Sequence, residues 1–216
     1  MDSKSRCVIS SAFFNKREGI LGVEVYTISN SYIKHLRTIS KGVLINTKPG
    51  ESIRKYVGVI FNINNFDYFV PLSSPKDNDY FINKKNKKIL RGSVTPIYRI
   101  VEIFNKKRNF LGKLKFSSMI PVPKSELTKL DLTTLDTAYA NLINSQIRHI
   151  RKNFNLIQTN HAIKLYEEKC NGQCTKNYLK NTVDFKALES GLAQYIEIKN
   201  IVKEVAIEEK EALQPN

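Results

Sequence analysis

The sequence predicts an α+β protein, with antiparallel strands in the first half and a helical C-terminal part. Three observations predict it. Alternating runs rich in β-branched and aromatic residues recur between Val23 and Val122. Two of them, 56–63 and 66–72, are separated only by Asn64 and Asn65, a pair that tolerates positive φ and suits a tight hairpin. From about Leu135 the apolar period becomes helical, through Leu142, Ile143, Ile147, Ile150, Phe154 and Ile157.

The elements follow in order. Residues 1–22 read as an extension without a period, 23–200 as one domain and 201–216 as an acidic tail. Residues 23–28 alternate as a strand. Ser29 or Asn30 caps a helix through Ile39, with Tyr32, Leu36 and Ile39 on one face and Lys34 away from it. A loop with Gly42, Pro49 and Gly50 leads to Arg54-Lys55 and the hairpin. Gly58, in mid-strand, marks a bulge or a close approach to the backbone. Residues 77–95 read as a long, polar, lysine-rich connection. Strands at 96–104 and 110–116 flank a basic turn, and 119–122 reads as an edge strand because of Pro121. Helices follow at about 142–157, 162–169 and 184–199, the last through Leu188, Leu192 and Ile196. The Glu-rich end reads as a fraying helix.

The formal net charge is +15 and the pI about 9.7. A chain this basic is suited to a polyanion. Between Lys76 and Lys115 there are twelve basic residues against three acidic ones, Asp77, Asp79 and Glu102. No apolar run approaches the ~18 residues of a membrane span, and residues 1–22 make a poor signal peptide. A cytoplasmic protein without a membrane partner is expected. The three cysteines, Cys7, Cys170 and Cys174, are an odd count, which in a cytosolic chain argues against a disulfide framework. Cys170 and Cys174 have only a distant His161 beside them, short of the four ligands of a closed zinc site. No metal and no cofactor is expected.

The candidate site is Val70-Pro71-Leu72-Ser73-Ser74-Pro75-Lys76. A strand delivers two hydroxyls to its own end, and a lysine follows a proline of fixed φ. Such residues can handle a phosphate, and they are also ordinary turn material. The hairpin brings Arg54 and Lys55, which precede its first strand, close to Leu72–Lys76. Lys84 and Lys85 belong to the basic connection, as RNA contacts or as a solvated loop. Arg148, Arg151 and Lys152 form a line on the long helix, with Gln146 nearby. The line either tracks a phosphate backbone or is a solvated face. Tyr32 is a core residue or presents its hydroxyl to a cleft.

Several chemistries fall away. There is no Gly-rich phosphate loop, no H-E-x-x-H and no G-x-S-x-G. Ser73-Ser74-Pro75-Lys76 matches S-x-x-K, but that motif wants a helical turn, and Pro75 drives Ser74 out of helical space. RNA scission needs less. The nucleophile is the substrate's own 2′-OH, and the protein orients the phosphate, assists proton removal and stabilises the phosphorane and the leaving 5′-oxygen. Lysine, serine, tyrosine and backbone N–H groups can supply these terms without a metal.

Five short pieces in order resemble the ToxN/AbiQ family of type III toxin–antitoxin endoribonucleases: Val25-Tyr26-Thr27-Ile28-Ser29 with Tyr32-Ile33-Lys34; Lys55-Tyr56-Val57-Gly58-Val59-Ile60; Pro71-Leu72-Ser73-Ser74-Pro75-Lys76; Leu114-Lys115-Phe116 with Met119-Ile120-Pro121; and Gln146 with Ile150-Arg151. The resemblance implies a compact, twisted antiparallel β core with surrounding helices, similar to MazF/Kid-like toxins. It implies metal-independent cleavage of cellular and phage RNA to 2′,3′-cyclic phosphate and 5′-OH ends, in abortive phage infection. It further implies inhibition by a repeated RNA pseudoknot in a closed protein–RNA assembly. Ser74 and Lys76 take the family's key positions, and Ser73 and Tyr32 supporting ones. Arg54, Lys55, Lys34, Lys84, Lys85, Gln146, Arg148 and Arg151 are the expected RNA contacts. A non-catalytic basic RNA-binding module is the alternative. Residues 1–22, the 84–88 region and the helices beyond Lys180 extend past the family core.

Overall fold

The computed structural model describes residues 23–47, 53–63, 65–172 and 175–212. The expected 1–22 extension lies outside them. The described elements are β1 Glu24–Ile28, α1 Asn30–Ile39, β2 Tyr56–Ile63, β3 Phe66–Ser73, β4 Tyr80–Ile82, β5 Lys88–Leu90, β6 Ile97–Phe104, β7 Lys107–Lys115, β8 Ile120–Pro121 and β9 Leu127–Lys129, then α2 Thr137–Lys152, α3 Phe154–Ile157, α4 Lys164–Cys170, α5 Asn177–Lys180 and α6 Phe185–Ala212. This is the expected α+β division. No described helix is long and apolar enough to cross a membrane.

The main sheet has the order β6-β7-β3-β2-β1-β9, with β8 also paired to β3. All its pairings are antiparallel. β3 is its organising strand. One edge pairs with β2, from Ile63↔Phe66 to Tyr56↔Pro71. The other edge meets β8 at Tyr68 and Phe69, then β7 at Leu72 and Ser73. Asn65 adopts φ 65° at the β2–β3 turn, as expected of asparagine there.

Gly58 satisfies both of its sequence readings. The β2–β3 register shifts between Val57 and Phe61, and a Cβ at Gly58 would lie 1.9 Å from the Phe69 ring. Only glycine lets that ring cross the backbone.

The helices cover the sheet with the face their period predicts. Asp136 caps α2 by accepting the Tyr139 amide at 2.9 Å, and Ile143, Ile150 and Ile157 are buried. Ser29 caps α1 through the Tyr32 amide. α6 differs from expectation in its inward face, since Tyr195 is buried and Ile196 is exposed. Tyr195 packs edge-on against Tyr32, which selects that rotation of the helix. The hydroxyls of Tyr68 and Tyr166 both donate to the buried Glu189, at 2.8 and 2.6 Å, tying β3 and α4 to α6. α6 runs on unbroken to Ala212, so the expected helical end is present as far as the described residues go.

Residues 77–95 are not a featureless connection. A 3₁₀ turn at Asp77–Asp79 leads into the β4–β5 hairpin, registered Tyr80↔Leu90, Phe81↔Ile89 and Ile82↔Lys88. Lysine content suggested a loop, but Tyr80, Phe81 and Ile82 face Lys88, Ile89 and Leu90 as a short alternating pair. Asn83 closes the turn by accepting the Lys85 and Lys87 amides.

Candidate active site

The site is built at the end of β3. Ser73 stands opposite Lys113 of β7. Ser74, Pro75 and Lys76 then leave the sheet as an exposed turn. The hairpin returns Arg54 and Lys55 to this end as expected, and the Leu72 amide donates to the Lys55 carbonyl at 2.9 Å.

A buried acid anchors the turn. Asp79 is 1% exposed. Its Oδ2 accepts the Lys76 amide at 2.9 Å and the Lys113 ammonium at 2.5 Å, and its Oδ1 accepts Arg99 Nη2 at 2.9 Å. Burial alone would raise its pKa. The bonds from Lys113, the Lys76 amide and Arg99 outweigh burial and hold the carboxyl below its usual range. Arg99 and Lys113 are themselves buried. The set therefore fixes the turn to the sheet at its first free residue.

The cations gather around that anchor. Lys115, half-buried on β7, has its pKa lowered first by burial, then by the charges of Arg54, Lys113 and Lys76. Lys55 is lowered by burial. Lys113 is neutralised by Asp79. Among the described residues, Arg54, Lys76 and Lys115 have no carboxylate in an ion pair with them. Their mutual repulsion would be relieved by an anion, which gives the neighbourhood a preference for negative charge.

Gln146 is not a surface contact. It is buried, and its Nε2 donates to the Leu111 carbonyl at 2.6 Å. That carbonyl sits at the β6–β7 bulge, where the register shifts between Ile100 and Val101. The adjacent Gly112 has φ +151°, and a Cβ there would lie 2.8 Å from Gln146 Nε2 and 3.0 Å from the Ser73 carbonyl. Glycine thus lets α2 press against the end of β3, with Gln146 buried behind it.

Tyr32 is the clearest departure. The structure makes it a core residue: its ring is fully buried and its hydroxyl donates to the Pro121 carbonyl at 2.7 Å. Burial, then Glu126 and Tyr195, push its pKa far up. It does not present a hydroxyl to the turn. Lys34 is exposed on α1, a helix packed on α6. Lys84 and Lys85 are exposed at the tip of the β4–β5 hairpin. Arg148 and Arg151 line an open groove of about 520 Å³ along α2 with Asn144 and Ser145. Arg151 also donates to the Val23 carbonyl at 3.1 Å. Lys34, the hairpin-tip lysines and the α2 groove lie on three different elements.

Asp79, Arg99, Lys113 and Lys115 escaped the sequence reading as site residues. Two signals were present. Lys113 and Lys115 are spaced by two on a strand, so they share a face. Asp79 is one of only three acids in a strongly basic stretch. Among the described residues neither His149 nor His161 is ion-paired with an acid, although the charge of Glu102 reaches His149. His149 bonds the Tyr98 hydroxyl at 2.9 Å and His161 stacks on Phe116. Cys170 is half-buried on α4, and Cys174 lies outside the described residues. Among the described residues no three His, Cys, Asp or Glu side chains converge as a metal site.

Residues 24–193 match the family described as toxin ToxN, type III toxin–antitoxin system. The chain belongs to this family. It is 32% identical over 179 residues to Endoribonuclease ToxN of Bacillus thuringiensis subsp. kurstaki, an alignment spanning 80% of this chain and 84% of that protein. Its fold is similar to that of AbiQ, a lactococcal anti-phage endoribonuclease of the type III class, with a TM-score of 0.66 and 27% identity over 81% of this chain and 98% of that one. A second solved type III toxin–antitoxin protein, from work describing selective toxin inhibition by a non-coding RNA pseudoknot, has a TM-score of 0.62 at 29% identity, over 81% of this chain and 98% of that one. The family match begins at β1 and stops inside α6. It contains the whole Ser73–Asp79 site and leaves the last turns of α6 beyond it.

Proposed function

We propose that this chain is the toxin of a type III toxin–antitoxin system, an endoribonuclease that cuts RNA by metal-independent transesterification at the Ser74–Lys76 turn. The observation that carries the reading is the convergence of Arg54, Lys76 and Lys115, without ion-paired carboxylates among the described residues, on the end of β3 where Ser73 and Ser74 emerge. The scissile phosphate sits among these cations. The substrate's 2′-OH attacks phosphorus and loses its proton, and the P–O5′ bond breaks as the 5′-oxygen gains one. The products are a 2′,3′-cyclic phosphate and a 5′-OH end. Ser74 donates a hydrogen bond to the phosphate or relays the proton. Lys76 stabilises the phosphorane or protonates the leaving oxygen, and Lys115 adds charge from the sheet. Ser73, Lys55 and Gln146 shape the site from within the fold.

A type III partner is an RNA. The relative inhibited by an RNA pseudoknot supports a repeated pseudoknot antitoxin here, held over the turn and the Lys84–Lys85 and Arg148–Arg151 surfaces in a closed protein–RNA assembly. Cytoplasmic bacterial and phage RNA is the substrate, in keeping with the anti-phage relative.

The test is cleavage of total bacterial RNA in EDTA by wild type and Ser74→Ala, with the new ends mapped. Cleavage to 5′-OH ends by wild type alone supports the reading. Loss of wild-type cleavage in EDTA, or equal cleavage by Ser74→Ala, removes it.

A further inference from the structure

The β4–β5 hairpin carries a feature that the turn chemistry does not use. Phe81 and Ile89 are cross-strand neighbours on one face, 40% and 36% exposed. Single exposed apolar residues need no explanation, but this pair sits in residues 80–91, which hold five cations and no acid. The Arg91 guanidinium lies over the Phe81 ring at 5.6 Å from its centroid. The other face of the hairpin is anchored at its Tyr80 end, while Ile82 towards the tip is exposed. Tyr80 packs edge-on against Phe110 of β7 and takes Lys88 over its ring at 4.6 Å.

The hairpin is also tied to the turn. Asp79, which holds the Lys76 amide, accepts the Arg91 amide on its carbonyl at 2.9 Å, and Arg91 Nε donates to the Asn78 carbonyl at 3.2 Å. Phe81 is five residues beyond Lys76, so their Cα atoms are at most ~17 Å apart.

We propose that Phe81, backed by Arg91, is a stacking platform for an unpaired nucleobase near the scissile phosphate. An exposed ring under a cation, among five positive charges, matches the mixed aromatic and cationic surface that single-stranded RNA requires, since every base offers a π-face and each linkage an anion. Lys88 is ion-paired with Asp77, and an apolar protein partner would leave the other four charges unmatched. Bases within a duplex have no open face, so the platform selects single-stranded substrate. The inference rests on the RNA-cleaving reading of the Ser74 turn, and its test separates the two.

The chain has no tryptophan, so Phe81→Trp places one fluorophore at the platform. The probe is a 2′-O-methyl RNA oligonucleotide, which cannot be cut because its 2′-oxygen is capped. Single-stranded oligonucleotide should quench the indole emission of Phe81→Trp saturably, and the same sequence as a duplex should not. Phe81→Ala should weaken binding of the labelled single strand roughly 5- to 150-fold, with urea unfolding unchanged and Phe81→Tyr restoring affinity. Unchanged affinity in Phe81→Ala, or no change in the emission of Phe81→Trp at saturation, overturns the platform while wild-type cleavage would still uphold the enzyme. Quenching in Phe81→Trp, together with equal RNA cleavage by wild type and Ser74→Ala, supports the platform and overturns the catalytic turn.

Discussion

The carboxylate of Asp79 accepts the backbone amide of Lys76 at 2.9 Å, and so a buried residue of the 3₁₀ turn positions the first free cation after the Ser73-Ser74-Pro75 turn. The same carboxylate is ion-paired with both Lys113 and Arg99. This one acid separates the cations that serve the fold from those left for an anion.

Asp79→Ala should cost about 3–5 kcal/mol in urea unfolding, because it strands two buried cations. Asp79 is held below its ordinary range despite burial, chiefly by Lys113 and the Lys76 amide. Its stabilisation is therefore present above the unfolded pKa of about 3.9 and lost as pH falls through the lower folded value. Asp79→Asn should flatten that acid limb. An unchanged limb would show that the carboxylate is not held charged.

Lys115→Met removes one of the crowded cations. The slope of log K against log salt for single-stranded RNA should fall by about 0.7, one phosphate's worth. Folding stability should not decrease, since burial and like charges already disfavour this ammonium. Because its pKa is lowered, Lys115 loses its proton on the way up in pH before an ordinary lysine does. Wild-type affinity should fall correspondingly early, and Lys115→Met should lack that step. An unaltered salt slope would place Lys115 outside the RNA site.

Tyr32→Phe distinguishes a core tyrosine from a catalytic one. Loss of the bond to the Pro121 carbonyl leaves that oxygen without this donor, at a cost of about 1–3 kcal/mol. The turnover of folded protein should be unchanged. A variant that is fully stable yet inactive would restore the hydroxyl to the reaction.

His149 and His161 both have pKa values lowered mainly by burial. The fold thus favours the neutral rings. Their contribution to stability is complete above the unfolded value of about 6.5 and is lost as pH falls below it through the lower folded values. Thermal melts should drop as the medium is acidified below about pH 6.5, and NMR should place both titrations below that value. Titration at or above the ordinary histidine value would contradict the burial.

Much of the candidate site was legible because it is local. Ser73, Ser74, Pro75 and Lys76 are consecutive, and a two-residue hairpin turn obliges Arg54 and Lys55 to return to them. Asp79, Lys113 and Lys115 were not legible as site residues, because β3 acquires β7 as a neighbour only after leaving β8. Tyr32 was open to two readings because helical spacing places it on the inward face without saying whether that face meets a cleft or Tyr195. The β4–β5 hairpin was hidden by its lysines, which obscure a short alternation.

The sequence by itself determined the division into strands and helices, the hairpin, the polyanion-seeking charge and the family, since periodicity, turn chemistry and motifs are written in neighbouring residues. Only the tertiary structure decided which cations are spent and which remain. That choice depends on whether a carboxylate lies within reach across the sheet, and Asp79 reaches Lys113 and Arg99 over 34 and 20 residues of chain. Ion pairing acts over a few ångströms of space, and the sequence does not state which residues the fold will bring that close.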